Sequence, residues 1–267
     1  MLPAVNDGKG FTLVTGASTG IGRELALIAA SRNRPLVLVA RSVEKLTDLA
    51  RTLRETNGVP AEVVPLDLSR PEAPASLFHE LLRRKLFVEV LINNAGFGSF
   101  GKFHETPLPP ILEMLRLNVV ALTELTHLFL PAMVERRRGR ILNVASTAGL
   151  QPGPWMAGYY ASKAYVLSFT EALAEELAGT GVTATALLPG PTRTEFQSRA
   201  GMAESRLFTI GAADARSVAE AGYRAMEAGR AVVIPGLSNR MLALSVRLSP
   251  RWAVRKVAGW LNQKRRT

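Results

Sequence analysis

Short apolar runs recur along the chain, and each is followed by a longer stretch of helical periodicity. Residues 11–15, 36–40, 61–66, 88–92, 140–145, 182–188 and 231–234 are such runs, rich in Val, Leu, Ile and Ala. Their length and near-continuous apolar character fit strands buried on both faces. Between them, residues 23–31, 43–55, 71–85, 107–134, 159–178 and 214–229 read as helices. Strands alternating with helices of about a dozen residues or more predict an α/β chain with a doubly wound parallel sheet of about seven strands. Ligands of such sheets sit at the carboxyl ends of the strands, so the residues just after each run carry the chemistry.

After the first run comes Thr15-Gly16-Ala17-Ser18-Thr19-Gly20-Ile21-Gly22, and a helix follows directly. A strand, a glycine turn and a helix start together offer free backbone N–H groups and a positive helix end to a pyrophosphate. The glycines let backbone and phosphate approach closely, and this makes the sheet Rossmann-like. Arg41 follows the second run, where an acid would hold a ribose 2′-hydroxyl. A guanidinium pairs with phosphate through two parallel hydrogen bonds, so this position favours NADP(H) over NAD. Asp67 and the turn Asn93-Asn94-Ala95-Gly96 end the third and fourth runs at the same edge.

Residues 107–134 form a long helical pattern interrupted by Asn118, among Leu117, Val119 and Val120. A buried asparagine must find partners, either by bracing a neighbouring strand or by holding a water. The fifth run delivers Ser146, and a loop over residues 147–158 leads to Tyr159-Tyr160-Ala161-Ser162-Lys163. Four residues apart on a helix, Tyr159 and Lys163 share a face. An ammonium beside a phenol favours the phenolate, and so the pair can act as an acid/base. Four tyrosines and seven lysines place this spacing by chance in roughly one such chain in ten, so the pentapeptide needs its context. Residues 195–213 have no dependable period and suit a lid.

Composition narrows the chemistry. The 267-residue chain has no cysteine, and His79, His104 and His127 lie in no ligand spacing, so a metal site is not expected. No basic segment followed by an apolar stretch opens the chain, and no uninterrupted apolar run has the ~18 residues of a membrane span. The expectation is a cytoplasmic protein. Its net charge of +11 is concentrated at the end: residues 238–267 carry eight Lys/Arg and no acid. These cations form no nucleic-acid recognition module. Residues 1–237 therefore read as one catalytic domain and 238–267 as a basic helical extension. Trp252, Val254, Val257, Ala258 and Leu261 can form one apolar stripe there. Such a helix could lie on an anionic membrane, pack on a second subunit or cap its own domain.

Taken together, Thr15-Gly16 with Gly20 and Gly22, Asp67, Asn93-Asn94-Ala95-Gly96, Asn118, Ser146, Tyr159 with Lys163, and Pro189-Gly190 with Thr194 resemble the short-chain dehydrogenase/reductase family over about residues 10–237. The thirteen-residue interval from Ser146 to Tyr159 is the family's usual one. The resemblance implies a catalytic tetrad of Asn118, Ser146, Tyr159 and Lys163. In it, Ser146 polarises the substrate carbonyl and Tyr159 exchanges the proton. Lys163 lowers the tyrosine pKa and binds the nicotinamide ribose, and Asn118 holds a water. It also implies cofactor contacts at Gly16, Ser18, Gly20, Ile21, Gly22, Arg41, Asp67, Asn94, Tyr159, Lys163, Pro189, Gly190 and Thr194, and a homodimer or homotetramer. Thr19 stands where some members carry a basic residue, so the preference for NADP(H) rests on Arg41. The family places its acid/base at the first residue of Y-x-A-S-K, which leaves Tyr160 to pack or line the pocket.

An oxidoreductase interconverting a ketone or aldehyde with an alcohol follows as the expected function. Phe97, Phe100, Leu150, Trp155, Met156, Phe196, Met202, Leu207 and Phe208 are candidates for an apolar pocket suited to a hydrophobic substrate. The competing reading is a regulatory protein that senses NADP without turning it over, against which the complete tetrad argues.

Overall fold

The apolar runs pair side by side in one parallel sheet of seven strands, in the order β3-β2-β1-β4-β5-β6-β7. The computed structural model describes residues 10–195 and 212–263. The strands are β1 (Phe11–Thr15), β2 (Leu36–Ala40), β3 (Ala61–Pro65), β4 (Val88–Asn93), β5 (Gly139–Val144), β6 (Val182–Leu187) and β7 (Val232–Val233). Each lies within a residue or two of its sequence-predicted run.

Helices cover both faces. On one lie α1 (Gly20–Ser31), α2 (Val43–Asn57) and the helix Ala215–Glu227; on the other lie α3 (Ala73–Arg83), the helix Leu122–Glu135 and the helix Ala157–Glu176. After α3, in chain order, come α4 (Leu108–Leu115), α5 (Leu122–Glu135), α6 (Ala157–Glu176) and α7 (Ala215–Glu227). Leu25, Leu36, Leu38, Leu46 and Leu53 are fully buried on the first face. On the other, Leu77, Leu91, Leu125 and Met133 do the same. Each such side chain contributes about 1.5–3 kcal/mol of transfer free energy.

The long helical pattern is one rod, Leu108–Glu135, with a π-helical segment at Arg116–Ala121 joining α4 to α5. π-segments occur often at functional sites, and this one carries Asn118. By length and composition this rod is apolar enough to cross a membrane. Its apolar face, with Leu122, Leu125, Phe129 and Met133, is buried against the domain instead.

A buried polar chain links sheet and helices. Asn93 Nδ2 donates to Thr126 Oγ1 (3.1 Å) and Asn143 Oδ1 (2.9 Å), and Asn143 Nδ2 donates to Thr170 Oγ1 (2.9 Å). Asn93 and Asn143 are register partners on β4 and β5, while Thr126 and Thr170 come from α5 and α6. The chain therefore fixes both helices against the two strands that deliver the site.

Two more helices, α8 (Leu237–Leu248) and α9 (Arg251–Asn262), complete the described chain. The expected single apolar stripe on α9 is split. Val254 and Ala258 turn inward and are buried, whereas Trp252 and Val257 are exposed on the far side.

Candidate active site

The chain moves outward from β1 through β2 to β3 and then returns to β4 on the other side of β1. This reversal opens a crevice between the ends of β1 and β4, the usual ligand position in such sheets. Gly16 and Gly20 hold φ of 65° and 59° there, a conformation that strains other residues. A Cβ on Gly22 would lie 2.3 Å from both Asn94 Nδ2 and the Gly16 carbonyl oxygen, so the turn is tight as well as strained. Thr19 stands at the N-cap of α1 without a capping side-chain bond. The first turn of α1 thus faces the crevice without that internal acceptor.

Asn94, expected as a cofactor contact, lines the crevice and also braces the turn. Its Nδ2 donates to the carbonyls of Thr15 (2.9 Å) and Gly16 (3.2 Å). Thr15 Oγ1 returns the tie by accepting from the backbone N–H of Asn94 and Ala95, both at 3.0 Å. Thr15, part of the Thr15-Gly16 motif, therefore supports the turn through its hydroxyl.

A cavity of about 530 Å³ runs from this turn to the start of α6. Its walls include Gly16, Ser18, Gly20, Ile21, Arg41, Asp67, Asn94, Ser146, Tyr159, Lys163, Pro189, Gly190 and Thr194. Gly22 and Asn118 stand just behind the wall, packed on Asn94 and Gly96 respectively. Arg41 is largely exposed and approaches Glu113 at only 3.9 Å, a spacing that leaves its guanidinium accessible. Asp67 accepts from Ser69 Oγ (2.7 Å) and N (3.1 Å). Burial alone would raise its pKa, but these bonds and the nearby Arg41 hold it below the usual value.

At the other end, Ser146 leaves β5 and caps the turn Thr147–Leu150, its Oγ accepting from Ala148 N (3.1 Å). That side chain also shares a hydrogen bond with Tyr159. Lys163 Nζ lies 5.9 Å from the Tyr159 ring centre and donates to the Val144 carbonyl (2.8 Å). Ser146, Tyr159 and Lys163 therefore converge as their spacing predicted.

The electrostatics differ from the expectation. Burial pushes the Tyr159 phenol up, and the bond from Ser146 offsets only part of this. Burial also lowers Lys163, to about 8. Desolvation, with the neighbouring Tyr160 adding to it, sets the direction of the phenol's shift in the protein without cofactor.

The side chain of Asn118 acts as a brace. Its Oδ1 accepts from Phe97 N (3.1 Å), while Nδ2 donates to the Phe97 carbonyl (3.0 Å) and Ser162 Oγ (3.1 Å). It thus ties the segment after β4 to α6. Gly96 passes between Asn118 and Lys163, and a Cβ there would be 2.9 Å from Asn118 Oδ1 and 3.5 Å from Lys163 Nζ.

Of the proposed pocket residues, Phe97 and Met156 line the cavity. Phe100 and Trp155 stack on each other at 6.2 Å, and Leu150 packs with Leu122 and Val166. Phe196, Met202, Leu207 and Phe208 lie outside the described residues. Thr192 and Ala213, which are described, form an isolated parallel bridge. Three wall residues come from the last two helices: Leu242 on α8, and Ala258 and Leu261 on α9. Nothing in the sequence pattern pointed them at the cavity, since their apolar character served equally for membrane or subunit contacts.

The pattern of the short chain dehydrogenase family matches residues 11–205. The chain is 33% identical over 269 residues to the ketoacyl reductase HetN of a Nostoc species, covering 95% of this chain and 91% of that one. It is 35% identical over 182 residues to a 7beta-hydroxysteroid dehydrogenase of Collinsella aerofaciens, covering 68% of each. Among solved structures, a short-chain dehydrogenase from Sphingobium yanoikuyae in complex with NADPH superposes with a TM-score of 0.81 at 35% identity, over 90% of this chain and 93% of that one.

Proposed function

The chain belongs to the short-chain dehydrogenase family of oxidoreductases, and from that premise we propose that it is an NADP(H)-dependent reductase of hydrophobic ketones or aldehydes, reversible toward the alcohol. The observation that carries this reading is the convergence of Ser146, Tyr159 and Lys163 on the cavity that also meets the glycine turn and Arg41. The glycine cradle, whose space a Cβ would fill, fits a dinucleotide pyrophosphate, and the accessible Arg41 fits a 2′-phosphate. NADPH in the Sphingobium relative is in keeping with this.

When bound, the nicotinamide supplies the hydride; the protein supplies position and a proton. Ser146 Oγ hydrogen-bonds the substrate carbonyl and orients it, and Tyr159 gives up its phenolic proton to the developing alkoxide. The phenol keeps that proton at neutral pH until the alkoxide, a stronger base, forms. Lys163 holds the cofactor's ribose, and its charge stabilises the phenolate left behind. Asn118 holds the Phe97 segment and α6 in register and so acts as a positioning residue. Phe97, Met156, Leu117 and Leu261 give the substrate end an apolar wall. That wall favours a hydrophobic ketone, aldehyde or fatty acyl ketone, a range consistent with the ketoacyl and hydroxysteroid substrates named for the relatives.

Following NADPH absorbance across a panel of aliphatic, acyl and steroidal ketones tests the proposal. Oxidation of NADPH with at least one hydrophobic ketone is expected. Tight NADPH binding without turnover across the panel would favour the sensor reading.

A further inference from the structure

The two C-terminal helices each have two faces with opposite duties. On α8, the buried Ala243 and the half-buried Asn239 and Val246 face the domain. Leu237, Met241, Leu244 and Leu248 follow one another at helical spacing along the opposite side, between 52% and 78% exposed. On α9, Val254, Ala258 and the fully buried Asn262 face inward, while Trp252, Lys256 and Trp260 form an outward row flanked by Val257. Trp252 and Trp260 are 59% and 55% exposed. Lys256 Nζ sits 5.6 Å from the Trp252 ring centre. Large apolar side chains are therefore displayed together in an amount that ordinary solvated helices do not carry.

The charge around this face is of one sign. Arg240, Arg247, Arg251, Arg255 and Lys256 are all exposed, and the sequence from 238 to 267 contains no acid. This decides between occupants. A two-fold contact with a second copy would set the cationic patch against itself. An anionic lipid surface accepts both components, since tryptophan and leucine enter the headgroup boundary while Arg and Lys remain at the phosphates.

We propose that the outer faces of α8 and α9 form a docking surface for an anionic lipid bilayer. Leu242 on the flank of α8 and Ala258 and Leu261 on α9 line the cavity, so docking would set the substrate end beside the membrane. That consequence rests on the reductase reading; the docking itself does not.

Co-sedimentation of the full-length protein with vesicles tests this. One set is phosphatidylcholine alone and the other an equal mixture of phosphatidylcholine and phosphatidylglycerol. Binding to the mixed vesicles, little binding to the neutral ones, and release by high salt are expected. The variant Arg247→Gln/Arg255→Gln/Lys256→Gln should weaken partitioning on the order of a hundredfold, at about one kcal/mol per cation near the surface. The variant Trp252→Ser/Trp260→Ser should lose binding while its NADPH affinity, which reports folding, is unchanged. Equal binding to both vesicle types, or none to either, overturns the proposal. A charge variant that binds like the parent, or tryptophan substitutions that change oligomer size but not vesicle binding, overturns it too. Vesicle binding needs no turnover, so its failure is separable from failure of the reductase reading.

Discussion

Tyr160 donates its hydroxyl hydrogen to Asn262 Oδ1 at 3.0 Å, across 102 residues of chain. Asn262 Nδ2 in turn donates to the Pro154 carbonyl at 2.9 Å. One fully buried side chain on α9 therefore holds both the residue beside Tyr159 and the loop between Ser146 and α6. Gly259 packs on the Pro154 ring in the same contact. Asn262→Leu would leave a buried hydroxyl and a carbonyl without partners, a cost of about 1–3 kcal/mol that a denaturant titration would detect. A positioning role predicts in addition a raised KM for the ketone, with the Kd for NADPH unchanged. An unchanged KM alongside the stability loss would reduce Asn262 to a structural tie.

Arg41 is expected to set cofactor choice. Removing a guanidinium that pairs with a 2′-phosphate loses a charge-assisted interaction of about 1.5–3 kcal/mol. Arg41→Ala should therefore weaken NADPH binding roughly tenfold to a hundredfold while leaving NADH nearly unaffected. Isothermal titration with both cofactors checks this. A parent enzyme that binds NADH as tightly as NADPH would remove the basis for the assignment.

Lys163 gives a pH dependence with a definite sign. Its folded pKa is about 8, against 10.5 for the unfolded chain. Between these values the unfolded state holds more protons, so this group makes stability rise with pH through that window. Below pH 8 both states are charged and the contribution is flat. The unfolding free energy of the parent minus that of Lys163→Met should accordingly increase from pH 8 toward pH 10. A difference independent of pH would mean that the ammonium is not desolvated. In the same cofactor-free protein, loss of the charge above pH 8 should weaken capture of the ribose.

The sheet was legible because strands buried on both faces are written as near-continuous apolar runs, and β1 to β7 match them within one or two residues. The convergence of Ser146, Tyr159 and Lys163 was legible because a strand end and one helical turn fix their relative positions. The π-segment around Asn118 was not, since an extra residue in a turn leaves the apolar pattern of residues 107–134 intact. Nor were the ties made by Thr15 and Asn262, which join positions about 80 and 100 residues apart. The direction of the Tyr159 shift depended on burial, and no spacing rule reports burial.

Tyr159 is the proposed source of the proton. Tyr159→Phe keeps the ring in its packing with Met114, Met156 and Tyr160 and removes only the hydroxyl. A single-turnover experiment with NADPH-loaded enzyme and a reducible ketone tests the claim most directly. Unchanged NADPH affinity and a rate of NADPH oxidation lower by at least about a hundredfold are expected. A Tyr159→Phe enzyme that oxidises NADPH at the parent's rate would contradict it.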